Sequence, residues 1–120
     1  MGHSLGCRVI YYALEALSTK NQKYINDVIL LGGAVGRKDK EGWSKAISAI
    51  NGKLYNCHSK QDMVLSKIYQ TANAGLSSPI GIKPIELNHP QLSNVNCDDF
   101  VESHMTWKTH YEKILNKIYS

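Results

Sequence analysis

The sequence predicts an α/β fold in which parallel strands alternate with helices. Strand-like segments at residues 27–31 and 53–58 are each followed by a segment with helical periodicity. The first strand is apolar without interruption, which favours a parallel sheet covered on both faces over an alternating antiparallel sheet. Strands and helices in this order form three layers, and 120 residues suit one domain over residues 1–120.

The helices are predicted from apolar residues that recur at spacings of three and four. Two of them span residues 5–17 and 42–50, and the first is apolar over so much of its surface that we expect it to be deeply packed. A polar loop at 37–41 precedes the second helix. Further helices are predicted at 63–71 and, as a last amphipathic element, at 104–119.

Residues 72–90 are predicted to form a long irregular connection, because they contain all three prolines of the chain. One candidate strand lies inside this connection at 82–87, and a short last strand is predicted at 94–96. The connection is either an ordinary crossover or a lid that contacts substrate.

The composition is that of a globular domain, with 42% hydrophobic and 20% charged residues. The net charge of +4 is compatible with anionic lipid or acidic substrates, but the basic residues are scattered, so ordinary surface charge is the favoured interpretation and nucleic-acid binding is not expected. The longest apolar stretch, 28–35, is far shorter than the ~20 residues of a membrane-spanning helix, and no secretory signal is visible. Cys7, Cys57 and Cys97 have neither a disulfide nor a zinc pattern, so we expect core residues in a reducing, cytoplasmic compartment.

The pentapeptide Gly2-His3-Ser4-Leu5-Gly6 matches the G-x-S-x-G pattern of a nucleophilic serine on a tight turn between a strand and a helix. The two glycines are expected to avoid collisions with neighbouring backbone. The helix N-terminus favours negative charge at Ser4, and the backbone N–H of Leu5 is the predicted oxyanion donor. The alternative is a serine that only caps the helix.

A nucleophilic serine needs a base and an orienting carboxylate, and in α/β-hydrolases the chain order is serine, acid, histidine. Asp62 is the predicted acid, because it lies in a polar loop just after a strand. Its alternative role is to cap the helix that follows. Asp39, in a charged loop, and Asp98 and Asp99, close to the candidate base, fit less well.

His104 is the predicted base, because it lies near the C-terminus in a polar turn after the last candidate strand. His3, inside the pentapeptide, is expected to point away from Ser4, and His58 is a weaker alternative at a strand end. In the expected mechanism His104 accepts the proton of Ser4, Ser4 attacks an acyl carbonyl, Asp62 orients the imidazole, and water hydrolyses the acyl-enzyme. No cofactor or metal is expected.

Several blocks of sequence carry a family resemblance. They are residues 8–15 (RVIYYALE), 28–35 (VILLGGAV), 52–56 (GKLYN) and 95–98 (VNCD), with Trp43, Ser59, Asp62, Val64-Leu65 and Ser103-His104. Together with the pentapeptide they resemble the C-terminal part of the α/β-hydrolase-like family typified by the transmembrane and coiled-coil domain proteins. The resemblance covers nearly the whole chain. It implies an esterase-like or lipase-like serine hydrolase that uses Ser4, Asp62 and His104.

The sequence departs from a complete hydrolase at its start, because only Met1 and Gly2 precede His3. We therefore expect the C-terminal half of the fold, a partial parallel sheet flanked by helices, with the N-terminal strands and the second oxyanion loop absent. Its exposed sheet edge invites association. Three hypotheses remain: a serine hydrolase acting on a small-molecule or lipid ester, a catalytically incompetent or partner-binding remnant, and an acyltransferase in which an alcohol replaces water.

Overall fold

The chain forms a four-stranded, wholly parallel sheet flanked by helices. A computed structural model describes residues 1–20, 22–62, 67 and 78–119. The strands are β1 (Gly2–His3), β2 (Val28–Leu31), β3 (Leu54–His58) and β4 (Leu92–Asn96), and their order in the sheet is β1-β2-β3-β4. The predicted α/β class and the parallel sheet are thus confirmed. Apart from residue 67, the helix predicted at 63–71 lies outside the described residues.

Three α-helices and one 3-10 helix are described. They are α1 (Leu5–Leu17), α2 (Lys40–Ile47), the 3-10 helix His104–Trp107, and α3 (Tyr111–Tyr119). The bounds of α1 are those predicted. Helix α2 begins inside the predicted polar loop, because the side chain of Asp39 accepts a hydrogen bond from the backbone of Gly42 at 3.0 Å and caps the helix.

Two predictions for the second half of the chain are wrong. Residues 82–87 do not form a strand; instead the side-chain amide of Asn94 bonds the backbone N–H and C=O of Ile85, at 2.8 and 3.3 Å. The predicted continuous helix at 104–119 is interrupted by a turn at 108–110. The last strand, β4, begins two residues before the predicted 94–96.

The side chains of β2 divide the core into two layers. Val28 and Leu30 pack with α1 and α2, in the cluster that contains Trp43. Ile29 and Leu31 pack on the opposite face of the sheet with Trp107 and with Ile114 of α3. All four residues of β2 are buried, which explains the uninterrupted apolar run in the sequence. The sheet therefore lies between two helical layers, as expected for a three-layer fold.

Helix α1 is packed on one side only. Cys7, Tyr11 and Leu14 are buried, whereas Leu5 and Val9 are about two-thirds exposed, at 67% and 71%. The expectation of deep packing around the helix is therefore wrong for its outer face. Strand β1, which leads into α1, pairs only with β2 among the described residues.

Candidate active site

Ser4 lies on a tight turn between β1 and α1. Its φ of 57° and ψ of −122° make it the single non-glycine residue with positive φ in the described part of the chain. Such a conformation costs about 1–3 kcal/mol and persists only where the surroundings hold it. Here the N–H of Ser4 donates to Leu31 O at 3.0 Å, and its carbonyl accepts from Ala34 N at 3.1 Å. The turn is thereby fixed to the end of β2.

The two glycines of the pentapeptide have different surroundings. A Cβ at Gly2 would lie 2.5 Å from Cδ1 of Ile10, a side-chain contact rather than the predicted backbone collision. A Cβ at Gly6 would meet nothing within 4 Å. The steric explanation given for both glycines is therefore wrong at Gly6.

The hydroxyl of Ser4 points towards His104 rather than towards its own helix. The distance from Ser4 Oγ to His104 Nε2 is 2.9 Å, and Ser4 makes no capping hydrogen bond to α1. On the other side of the imidazole, Nδ1 lies 2.7 Å from Asp62 Oδ2. Because a carboxylate accepts only, Nδ1 carries the proton and Nε2 is left to accept from the hydroxyl. The structure thus brings Ser4, Asp62 and His104 together in the predicted order.

Solvent reaches these three side chains unequally. Asp62 is fully buried and the side chain of His104 is 14% exposed. The three residues follow the C-terminal ends of β1, β3 and β4, where parallel α/β sheets place their functional groups. A buried carboxylate against a nearly enclosed imidazole is an environment in which electrostatic interactions are little screened.

Hydrogen bonds tie the loop that carries Asp62 to the loop that leads to His104. The backbone N–H of Lys60 donates to Asp98 Oδ1 at 2.9 Å, and Ser59 Oγ donates to Val101 O at 3.1 Å. Asp98, a weaker sequence candidate for the acid, therefore bonds the backbone of the other loop. These bonds fix the separation of the acid and the base.

Asp62 accepts a second hydrogen bond, from a residue that was not predicted to belong to the site. Trp107 is fully buried, and its indole Nε1 donates to Asp62 Oδ2 at 3.0 Å. In the sequence, Trp107 fits the apolar face of the helix predicted at 104–119, and periodicity does not single it out as a site residue. A chemical rule could have indicated its role, because the N–H of a buried indole usually has a hydrogen-bond acceptor nearby.

His3 contacts the backbone of His104. Its Nε2 lies 3.1 Å from His104 O, so this nitrogen carries a proton and donates to the carbonyl, and the two rings are 4.9 Å apart. Burial lowers the pKa of His3 from 6.5, only partly offset by the bond to the carbonyl. His58, the weaker sequence candidate for the base, is buried at the end of β3.

Leu5 is the first residue of α1, so its N–H has no acceptor within the helix. It lies next to Ser4, as the predicted oxyanion donor must.

The three cysteines are buried and free; burial raises the pKa of Cys7 to about 12. Within the described ranges, no group of three His, Cys, Asp or Glu side chains is arranged to hold a metal ion.

In the described part of the chain, every helix falls short of the length and apolarity needed to cross a bilayer.

Comparison with known proteins identifies longer relatives. The chain is 31% identical over 118 residues to a Saccharomyces cerevisiae protein named probable lipase MIL1, covering 98% of this chain and 11% of that protein. It is 33% identical over 121 residues to the uncharacterized membrane protein F35D11.3 of Caenorhabditis elegans, covering 98% and 19%. It is 31% identical over 122 residues to the transmembrane and coiled-coil domain-containing protein STS1 of Oryza sativa, covering 98% and 18%.

The chain therefore spans about a tenth to a fifth of the length of these curated relatives. No solved structure matches it. A family model matches residues 1–120 without a gap at either end. The chain belongs to the family described as protein of unknown function, DUF726.

Proposed function

We propose that this chain carries the reaction centre of a lipase-like serine hydrolase of the α/β-hydrolase type, which cleaves carboxylic esters. The observation that supports this most strongly is the continuous pair of hydrogen bonds from Ser4 through His104 to Asp62, at 2.9 and 2.7 Å. These are the distances over which a nucleophile, a base and an orienting carboxylate act together.

In the proposed mechanism His104 Nε2 accepts the proton of Ser4 as Oγ attacks the ester carbonyl. Asp62 holds the imidazole with Nδ1 protonated and stabilises the imidazolium that forms. His104 then gives its proton to the leaving alcohol, and water attacks the acyl-enzyme to release the acid. Ser4, Asp62 and His104 are the catalytic residues of this scheme.

The strained turn contributes to the same scheme. A positive φ at Ser4 costs conformational energy, and such outliers cluster at reactive positions. The turn presents Oγ at the N-terminus of α1, where backbone N–H groups and the helix dipole favour developing negative charge. The N–H of Leu5 is the proposed oxyanion donor.

An apolar substrate is supported by the residues next to the nucleophile and the base. Leu5 follows Ser4 and is 67% exposed, and Met105 follows His104 and is 68% exposed. Exposed apolar side chains next in sequence to the nucleophile and to the base suit an ester with a hydrocarbon chain. The relative named a probable lipase is consistent with this substrate class.

The test is covalent labelling of the purified chain with a fluorophosphonate probe, which reacts with activated serines. Wild-type protein should label at Ser4, and both Ser4→Ala and His104→Ala should abolish labelling. Ser48→Ala and His89→Ala are matched controls, because Ser48 donates to Lys45 O and His89 accepts from Gln91 N, both away from the site.

Circular dichroism should first establish that each variant is folded. A folded wild-type chain that resists the probe at millimolar concentration would overturn the hydrolase and favour the catalytically incompetent remnant. Labelling that persists in Ser4→Ala would assign reactivity to a different residue.

A further inference from the structure

The indole of Trp107 shares an acceptor with the proposed catalytic base. Nε1 of Trp107 lies 3.0 Å from Asp62 Oδ2, and Nδ1 of His104 lies 2.7 Å from the same oxygen. Trp107 and Asp62 are both fully buried, so water does not compete for this carboxylate oxygen. One oxygen therefore receives two N–H donors from two different rings.

We propose that Trp107 is a positioning residue of the Ser4 site, whose indole N–H holds the Asp62 carboxylate in the orientation that His104 requires. The inference rests on the proposed hydrolase for its effect on reactivity. Its geometric content, the fixing of Asp62 by Trp107, does not depend on turnover.

The local fold places the base and the indole on the same side of one turn. His104 and Trp107 are the first and last residues of the 3-10 helix, and side chains three apart in such a helix are eclipsed. The helix is closed at its start by reciprocal hydrogen bonds between Ser103 and Thr106. A single rigid turn thus directs both donors to Asp62.

Gly32 makes the space that the indole needs. It has a φ of +52°, and a Cβ built on it would lie 2.5 Å from Trp107 Nε1 and 2.9 Å from Cε2. Any larger residue at position 32 would displace the indole from its contact with Asp62. The end of β2 is therefore shaped around this donor.

The second tryptophan of the chain provides a matched control. Trp43 is also fully buried, but its Nε1 donates to the backbone oxygen of Gly36 at 2.9 Å, in the other core layer. Trp43→Phe and Trp107→Phe remove the same atoms from equally buried sites. Only the second substitution removes a donor from Asp62.

The experiment compares probe labelling rates and the His104 imidazole N–H proton resonance in wild type, Trp43→Phe and Trp107→Phe. Trp107→Phe should label about 10- to 100-fold more slowly than Trp43→Phe. In wild type the Nδ1–H resonance should be far downfield, as for a proton shared with a carboxylate. In Trp107→Phe it should move towards the position found in Asp62→Asn.

If Trp107→Phe does not fold, replacement of Trp107 by 3-benzothienylalanine keeps the bicyclic shape and removes only the N–H. Labelling and a proton resonance equal to those of Trp43→Phe would overturn the proposal. A wild-type chain that does not label would count against the hydrolase alone, because the proton resonance would still report whether Trp107 holds Asp62.

Discussion

The two ends of the sheet use aspartate in different ways. At the N-terminal end of β2, exposed Asp27 accepts from Lys53 N at 2.8 Å and from the Tyr119 hydroxyl at 2.9 Å. At the C-terminal end of β3, fully buried Asp62 accepts from the rings of His104 and Trp107. Both carboxylates accept from two donors, but only Asp62 has a donor, His104, whose ring also bonds the hydroxyl of Ser4.

The two aspartates also differ in the kind of contacts that surround them. Around Asp27 the neighbouring contacts are backbone hydrogen bonds, such as Gly52 N to Asn26 O at 2.8 Å. They join consecutive segments and need no buried charge. A buried carboxylate such as Asp62 is costly unless its partners are complete, so its surroundings are specified by side chains from distant parts of the sequence.

The largest expected effect comes from exchanging the two carboxylates for amides. Asp62→Asn should lower the turnover of an ester substrate about a thousand- to ten-thousandfold, because an amide favours the wrong tautomer of His104. Asp27→Asn should change turnover less than about twofold and lower the free energy of unfolding by about 1 kcal/mol or less. Ester hydrolysis and urea unfolding measure the two quantities. Similar losses of turnover in both variants would contradict the different roles assigned to Asp62 and Asp27.

An intermediate effect is expected from glycine at the strained turn. Ser4→Gly should raise the free energy of unfolding by about 1 kcal/mol while abolishing labelling, because glycine adopts positive φ without the cost of a Cβ. Ser48→Gly, at the C-cap of α2 with φ −63°, is the control and should lower stability. Urea unfolding compares the variants, and a less stable Ser4→Gly would contradict strain at Ser4.

The smallest expected effect is the dependence of the free energy of unfolding on the protonation of His58, at the C-terminal end of β3. Burial lowers the pKa of His58 below the ordinary 6.5, Asp98 opposes this shift, and Lys117 and Arg37 add to it. The unfolded chain therefore binds a proton near pH 6.5 that the folded chain resists, so the free energy of unfolding should fall as the pH falls below 6.5.

In His58→Gln this fall should be smaller, whereas the two proteins should differ by a constant amount above about pH 8. Urea unfolding over this pH range is the measurement. Parallel curves for wild type and His58→Gln down to low pH would exclude His58 as a source of the acid sensitivity.

How much of the fold the sequence predicts depends on how strongly each element is buried. Helix α1 and strand β2 are predicted closely because their apolar patterns are long or unbroken. Strand β4 has the polar sequence LSNVN and is largely half-exposed, so its first residues carry no hydrophobic signal. Residues 82–87 mislead because Ile85 is buried and paired, but its partner is the amide of Asn94 rather than a strand.

The candidate site is predictable where motif and chain order act together. Ser4 is indicated by the pentapeptide, and Asp62 and His104 by their place after strands, and the structure brings all three within hydrogen-bonding distance. Their catalytic role stays a prediction. The contribution of Trp107 could not be read from periodicity, because its apolar body fits a helix face while its single N–H depends on a loop 45 residues away.

The hydrogen bond between Ser4 and His104 joins positions 100 residues apart in a chain of 120. Such a contact closes a loop that contains most of the chain, so its entropy cost is offset only after the intervening strands have paired. Reactivity of Ser4 towards a probe would therefore be acquired late in refolding. Pulse labelling during refolding from urea would time this last closure separately from the formation of helix and sheet.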